Sequence, residues 1–316
     1  MNFLIWQKNI WMSDENINYH VPVLLETSLQ GLNLKKGGIY VDATFGGGGH
    51  SKAILEREEV GQLIAFDQDK EAEQEAKKIN KRSFTFWRAN FRYMDKYLKM
   101  EGVKKVDGIL ADLGVSSYQI DTAIRGFSTR FNEKLDMRMD TNSQLSAEHI
   151  VNTYSESELH KIFGMYGEVK NARQLANTIV RTRISTPIIT TEDLLSLARP
   201  YVRKGKPSKY FAQIFQALRI EVNDEMNALK DFINNSVGFL KTGGRLVVIS
   251  YHSLEDRIVK NMIIKGNIEG TEEVDLYGNR NRPLKAINKK PIVADEFEIE
   301  QNKRARSAKL RIAERI

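Results

Sequence analysis

The amino-acid sequence predicts an α/β fold in which a doubly wound parallel sheet is interrupted by a helical insert. Three observations predict it. Five short apolar segments read as strands: 39–44, 62–67, 84–89, 106–112 and 245–250, with helix-like segments between the first four. Parallel strands need crossover connections, and strand–helix alternation is their signature. Four consecutive glycines, Gly46 to Gly49, follow the first strand, where a backbone without Cβ can turn tightly and lie against a ligand. From 123 to 213 the strand signal disappears. The prediction is therefore a Rossmann-like sheet domain built from 1–122 and 214–316, with 123–213 as the insert.

Each element has its own justification. The first strand ends at Asp42, and a helix from Ser51 to Glu58 follows the glycines. Strand, glycine turn and helix form the entrance of a nucleotide-type cofactor site. A dinucleotide fingerprint is incomplete, because Ser51 stands where G-x-G-x-x-G needs its third glycine. A methyltransferase-type loop fits better. Asp42 can pair with a cationic amino-acid moiety and would repel pyrophosphate. The second strand ends at Asp67, at the roughly 20-residue spacing where a carboxylate takes ribose hydroxyls. Asp69 reads as the N-cap of a helix from Lys70 to Asn80. Asp42, Asp67, Asn90, Phe91, Asp112 and His252 all fall at or just past strand ends, where such sheets bind ligands.

Within the insert, Ser155 to Glu158 has the form of a capping box, and Thr190 to Asp193 reads as a second helix start. Pro187, Pro200 and Pro207 punctuate the segment. A single helix from Phe215 to Leu229 returns to the core.

Composition excludes several chemistries. The 316 residues suffice for one large or two modest cores. There is no cysteine, so disulfides and thiolate catalysis are excluded. The five histidines are scattered without an H-x-x-x-H pair, which argues against a metal. No apolar run reaches membrane-spanning length. The apolar opening, Met1 to Trp11, lacks a cleavage site, Met12 is an alternative start, and a cytoplasmic location is expected.

The net charge is +7. Nine Lys or Arg stand against two acids between Lys170 and Lys209, a surplus as large as that of the whole chain. Lys303, Arg304, Arg306, Lys309 and Arg311 form a second basic cluster. Two such patches suggest a polyanionic partner, most simply nucleic acid. Tyr201, Tyr210 and Phe211 lie among the basic residues; packing of the insert's own core is the favoured reading, base stacking the alternative.

Several motifs resemble a known family. His20-Val21-Pro22-Val23-Leu24-Leu25, the stretch from Asp107 to Ser117, and Leu135-Asp136-Met137-Arg138-Met139-Asp140 look like the bacterial ribosomal RNA small-subunit methyltransferase H family, also called MraW. So do the runs Phe215 to Ile220, His252 to Arg257 and Arg306 to Arg311. The resemblance spans residues 20–311. It departs at Asn132-Glu133-Lys134, where the family usually has Gly-Pro before the Leu-Asp-Met run, and at Thr129, where it usually has an aromatic. The resemblance implies a class I methyltransferase sheet and S-adenosylmethionine-dependent methylation of the N4 amine of one cytidine in the decoding region of small-subunit (16S) ribosomal RNA. It places cofactor contacts on Gly48, Gly49, His50, Asp67, Phe91, Asp112 and Gln119, to which the loop reading adds Asp42 and Gly46. The implied partner is small-subunit ribosomal RNA or the small subunit itself, with no membrane and no metal; monomer and homodimer both stay open.

Catalytic candidates are Asp112, as acceptor for the target amine, and His252, against a helix-cap role for the latter. RNA-contact candidates are Arg125, Arg138, Arg181, Arg183, Arg203, Lys204, Lys206, Arg257 and Arg306. Two other functions compete: an NAD(P)-dependent oxidoreductase, and a non-catalytic RNA-binding module on the same fold.

Overall fold

The structure, a computed structural model, describes residues 22–57, 60–116, 119, 125–202, 206–272 and 282–316. The Met12 start, Arg203 and Lys204 lie outside them. Seven strands form one sheet: β1 Gly38–Asp42, β2 Val60–Asp67, β3 Phe84–Arg88, β4 Val106–Asp112, β5 Leu240–Ser250, β6 Leu284–Ala286 and β7 Lys309–Arg315, in the order β3-β2-β1-β4-β5-β7-β6. The first five are parallel. β7 runs antiparallel between β5 and β6. Order reverses beside β1, so the crevice at the carboxyl ends of β1 and β4 is the expected ligand position.

The sheet is buried on both faces, which explains its near-continuous apolar strands. Successive residues of β5 alternate between the two cores. Leu246 and Val248 pack with Phe232 and Val259 on one side; Val247 and Ile249 pack with Leu32 and Ile312 on the other.

The helices flanking the sheet are α1 Leu25–Leu32, α2 Gly49–Leu55, α3 Lys70–Ala76, α4 Met94–Met100, α10 Glu225–Phe239, α11 Ser253–Lys265 and α12 Glu296–Gln301. Between β4 and α10 lie α5 Ala147–Thr153, α6 Glu156–Met165, α7 Ala172–Arg183, α8 Thr191–Ala198 and α9 Pro207–Val222. Ser155 opens α6 through the expected capping box, and Thr190, expected as a helix start, opens α8 through a second one. Asp69 caps α3 as expected. Residues from Leu135 to Val222 bury a hydrophobic cluster of their own, in which Phe163, Leu175, Leu194 and Leu218 are wholly enclosed. That cluster extends past the expected boundary at 213, because α9 carries one apolar face along the insert.

Two expectations need correction. The helix expected from 215 to 229 is two helices, α9 and α10. The chain turns at Asn223 and Asp224, the latter with φ +47°, and Arg219 spans the break with a bidentate pair to Glu225. The C-terminal strand β7 was not anticipated, because its apolar positions are interleaved with Lys309, Arg311 and Arg315. Arg311 is buried there, paired with Asp256 of α11.

Candidate active site

The turn after β1 is held by side chains reading its backbone. Asp42 accepts from Thr44 N at 3.1 Å and from Ser51 Oγ at 2.6 Å. Thr44 Oγ1 accepts from Asp112 N at 2.6 Å, pinning the turn to β4. Asp42 is only 1 % exposed. Burial pushes its carboxyl up to about 6, against the two hydrogen bonds. The expectation that Asp42 pairs with a ligand cation is therefore corrected: both its oxygens serve the turn, and it does not line the cavity.

The glycines divide by role. Gly46, at φ +53°, donates its amide to Asp67 Oδ2 at 2.8 Å. Gly48, at φ +77°, lies against Phe45, where a Cβ would come within 2.5 Å of the ring. It supports the turn from behind and does not line the cavity. A Cβ on Gly49 would meet Pro22 at 2.3 Å. Gly46, Gly47 and Gly49 line the cavity itself.

That cavity, about 740 Å³, opens at the carboxyl ends of the parallel strands. The structure brings His50, Asp67, Phe91, Asp112 and Gln119 together around it. Asp67 accepts from Gly46 N and Asp69 N; burial, together with Asp69 and Asp42 nearby, holds its carboxyl at about 6 despite those bonds. Phe91 stands edge-on to Phe232 at 5.2 Å. Gln119 accepts from Ser116 N and donates to Asp69 at 2.6 Å.

Asp112 is the centre of charge. Burial pushes its carboxyl up to about 7; Tyr251 opposes the shift, and Asp42 and Glu255 add to it. Tyr251 donates its hydroxyl to Asp112 Oδ1 at 2.8 Å, while Oδ2 lies 3.9 Å from His50 Nδ1. Burial lowers His50 to about 4, against a hydrogen bond to the Val23 backbone. His50 is thus neutral, and its approach to Asp112 is no ion pair. His50 Nε2 is buried without a hydrogen-bond partner among the described residues.

His252 does not line the cavity. Its ring caps α11: Nδ1 accepts from Glu255 N, and Nε2 lies 3.0 Å from Glu255 Oε1. The direct catalytic role expected for His252 is corrected to this cap. Burial alone would raise Glu255, but His252 and Arg219 hold it low. Glu225, His252 and Glu255 bring ligand atoms within 4.8 Å of one another, but the Arg219 guanidinium already occupies both oxygens of Glu225. The group is an ion-pair network linking α9, α10 and α11.

Several RNA-contact candidates are also reassigned. Arg125 is buried against Asp69, Glu71 and the carbonyl groups of Arg138 and Met139. Arg138 grips Asp136 with two bonds and two further carbonyls with a third nitrogen. Both build the loop beside the cavity, and four of the five N–H donors of each are spent within the chain. Arg183 is half-buried, with one nitrogen on Val151 O. Arg181, Lys206, Arg257 and Arg306 are exposed.

Sequence reasoning missed Tyr251, Arg219 and Met139, all on the cavity wall. Tyr251 was findable: it follows β5 as Leu113 follows β4, at the same sheet edge.

The family model for the MraW methylase family matches residues 17–316. The chain belongs to this family. A ribosomal RNA small subunit methyltransferase H of Cytophaga hutchinsonii is 57 % identical over 297 residues, covering 94 % of this chain and 99 % of that one. One of the same description from Phocaeicola vulgatus is 53 % identical, covering 96 % and 100 %. Among solved structures, a putative methyltransferase from Streptococcus mutans in complex with SAH is 12 % identical with a TM-score of 0.43, covering 94 % and 99 %. In this MraW-family chain the glycine turn and Asp112 share a single parallel-sheet edge. Among the described residues, no helix is long and apolar enough to cross a membrane.

Proposed function

We propose that this MraW-family chain transfers a methyl group from S-adenosylmethionine to the exocyclic N4 amine of a cytidine in the decoding region of small-subunit ribosomal RNA. The observation that carries the reading is the convergence of the glycine turn, Asp67 and the Tyr251–Asp112 pair on one cavity. The cavity's chemistry suits the cofactor: closely approached glycine backbone, a carboxylate at the end of β2 and an apolar ring at Phe91. Gly46, Gly47, Gly49, Asp67, Phe91 and Gln119 would hold it, with Asp67 accepting from the ribose hydroxyls. When bound, S-adenosylmethionine supplies an electrophilic methyl group on a sulfonium.

A cytosine amine is a weak nucleophile because its lone pair is delocalised into the ring. The base must be single-stranded or flipped to reach the cavity. Asp112 accepts a hydrogen bond from the amine, favouring the pyramidal form that can attack, and takes the proton lost when the N–C bond forms. A carboxylate held near 7 is matched to that task. Fixing both partners in near-attack geometry can contribute about 7–11 kcal/mol. Residues 123–213, with their basic surface, serve as the RNA-recognition unit.

A dinucleotide is disfavoured. The Gly46 amide is taken by Asp67 and the Gly48 amide by Phe45 O, so neither is free to cradle pyrophosphate.

The test is incubation with labelled S-adenosylmethionine and small subunits from cells lacking the endogenous activity, with the label mapped by mass spectrometry. One N4-methylated cytidine is expected. Label on another base would overturn the substrate assignment. Asp112→Asn should lower kcat by about 10²-fold or more; unchanged turnover with unchanged cofactor affinity would remove Asp112 from the mechanism.

A further inference from the structure

A second cavity, of about 530 Å³, lies in the helical insert. It sits where α7 and α9 begin, and no feature of the cofactor site uses it. Lys170, Lys206 and Lys209 line it, with Tyr201, Tyr210 and Glu168. None of the three lysines has a carboxylate partner among the described residues, whereas many exposed basic side chains on the sheet side do, such as Arg57, Lys77 and Lys99. Among the described residues Glu168 is the one acid on the wall, and its Oε1 accepts from Ser253 Oγ at 2.8 Å.

The two tyrosines are fixed in place. Tyr210 donates to Asn171 Oδ1 at 3.0 Å, and Tyr201 shares a hydrogen bond with Thr178. Their rings pack on the insert's core while lining the cavity. Neither α7 nor α9 has a side-chain cap. Their first amides add positive potential to that of the lysines.

We propose that this cavity is a second RNA subsite, taking one nucleotide of the substrate strand other than the one methylated. Its lysines pair with the phosphate and a tyrosine ring meets the base. The inference rests on the reading of RNA as substrate. Volume, unpaired positive charge and fixed aromatic rings together match a nucleotide. A bare anion would not need the rings, and an apolar peptide would not need the charge.

The position relative to the cofactor site is set by α9. Lys209, Tyr210 and Gln213 of this helix line the second cavity, and Arg219 lines the first. At 1.5 Å per residue the two sets stand about 9–15 Å apart along the helix, a span of a few nucleotides. The Ser253–Glu168 bond joins the second cavity to the first turn of α11, two residues after Tyr251. A strand held at both points would present one base to Asp112 in fixed register.

The test compares the full chain with Lys170→Ala/Lys206→Ala/Lys209→Ala. Binding of a fluorescent single-stranded oligoribonucleotide of decoding-region sequence is read by anisotropy over a series of salt concentrations. For three lost phosphate contacts the slope of log K against log salt should become shallower by about 2. S-adenosylmethionine affinity should stay unchanged, showing that the variant is folded. The triple Lys→Arg variant should keep the parental slope. A control that removes equal charge elsewhere, Lys104→Ala/Lys161→Ala/Lys260→Ala, should change the slope by less than half as much. An unchanged slope in the cavity variant, or an equal change in the control, overturns the subsite. Because binding is read without transfer, a failed methylation assay would sink the proposed reaction and leave this result standing.

Discussion

At the scale of single residues, the site is governed by carboxylates placed where water is scarce. Asp112 and Asp67 are held near 7 and 6 by burial. Tyr251 is the group that works against this at Asp112. Its hydroxyl donates to the charged form, and such a bond contributes about 1.5–3 kcal/mol. Removing it in Tyr251→Phe should raise the Asp112 pKa by about one to two units, since one unit is about 1.4 kcal/mol. If Asp112 acts as the base, the rising limb of the pH–rate profile moves upward by that amount, with little loss at high pH. An unmoved profile would detach Tyr251 from Asp112. Cofactor binding provides a second pH test. Both carboxylates gain protons as pH falls through 7 and 6, and a protonated acid no longer attracts a cationic ligand. The affinity for S-adenosylmethionine should therefore fall by about tenfold from pH 7.5 to 5.5. Calorimetry at the two pH values reads this directly, and equal affinities would place the cofactor's charge elsewhere.

At the scale of elements, the strand–turn–helix unit shows why four adjacent glycines are not equivalent. Gly48 needs both a left-handed backbone and the space filled by Phe45; at Gly47 a Cβ would meet nothing within 4 Å, and φ is not positive. Gly48→Ala should destabilise the chain by about 1–3 kcal/mol through strain and overpacking, read by thermal melting. Gly47→Ala should melt like the parent. It lines the cavity, so any loss it shows should be confined to cofactor affinity. Equal melting losses at both positions would contradict this division. The His252 cap illustrates the same point at α11. A histidine after a strand end reads as catalytic from its position, but local backbone geometry turns the ring onto Glu255. Capping is a short-range demand that outcompetes a longer reach into the cavity.

For the molecule as a whole, the insert and the sheet are not joined only by their two chain crossings. Arg125 reaches back to Asp69, Asn223 binds the backbone of Met137 and Met139, and Met139 lines the cofactor cavity. Excising 123–213 would remove Arg125 and Met139 together. It would strand Asp69, whose charge is held by Glu71, Arg125 and Gln119 against burial. The excised chain should bind S-adenosylmethionine at least about tenfold more weakly. Arg125→Ala should reproduce most of that loss and cost about 3–5 kcal/mol of stability, as expected when a buried ion pair loses one partner. Undiminished cofactor binding by the excised chain would show that the two parts are energetically separate.

The sequence by itself determined the five parallel strands, the glycine turn and the switch-point location of the site, because apolar periodicity and strand-end chemistry are local properties. It also distinguished Asp67 and Asp112, whose strands deliver them to one edge. Which neighbouring polar groups face the cavity was decided only in three dimensions. Asp42 turned inward to Ser51, His252 turned onto its helix, and Arg125 and Arg138 folded back onto carboxylates and carbonyls. Tyr251 gained importance from a residue 139 positions away. A side chain's partner depends on the register of strands and on packing between distant segments, and neither is encoded in the spacing of residues along one of them.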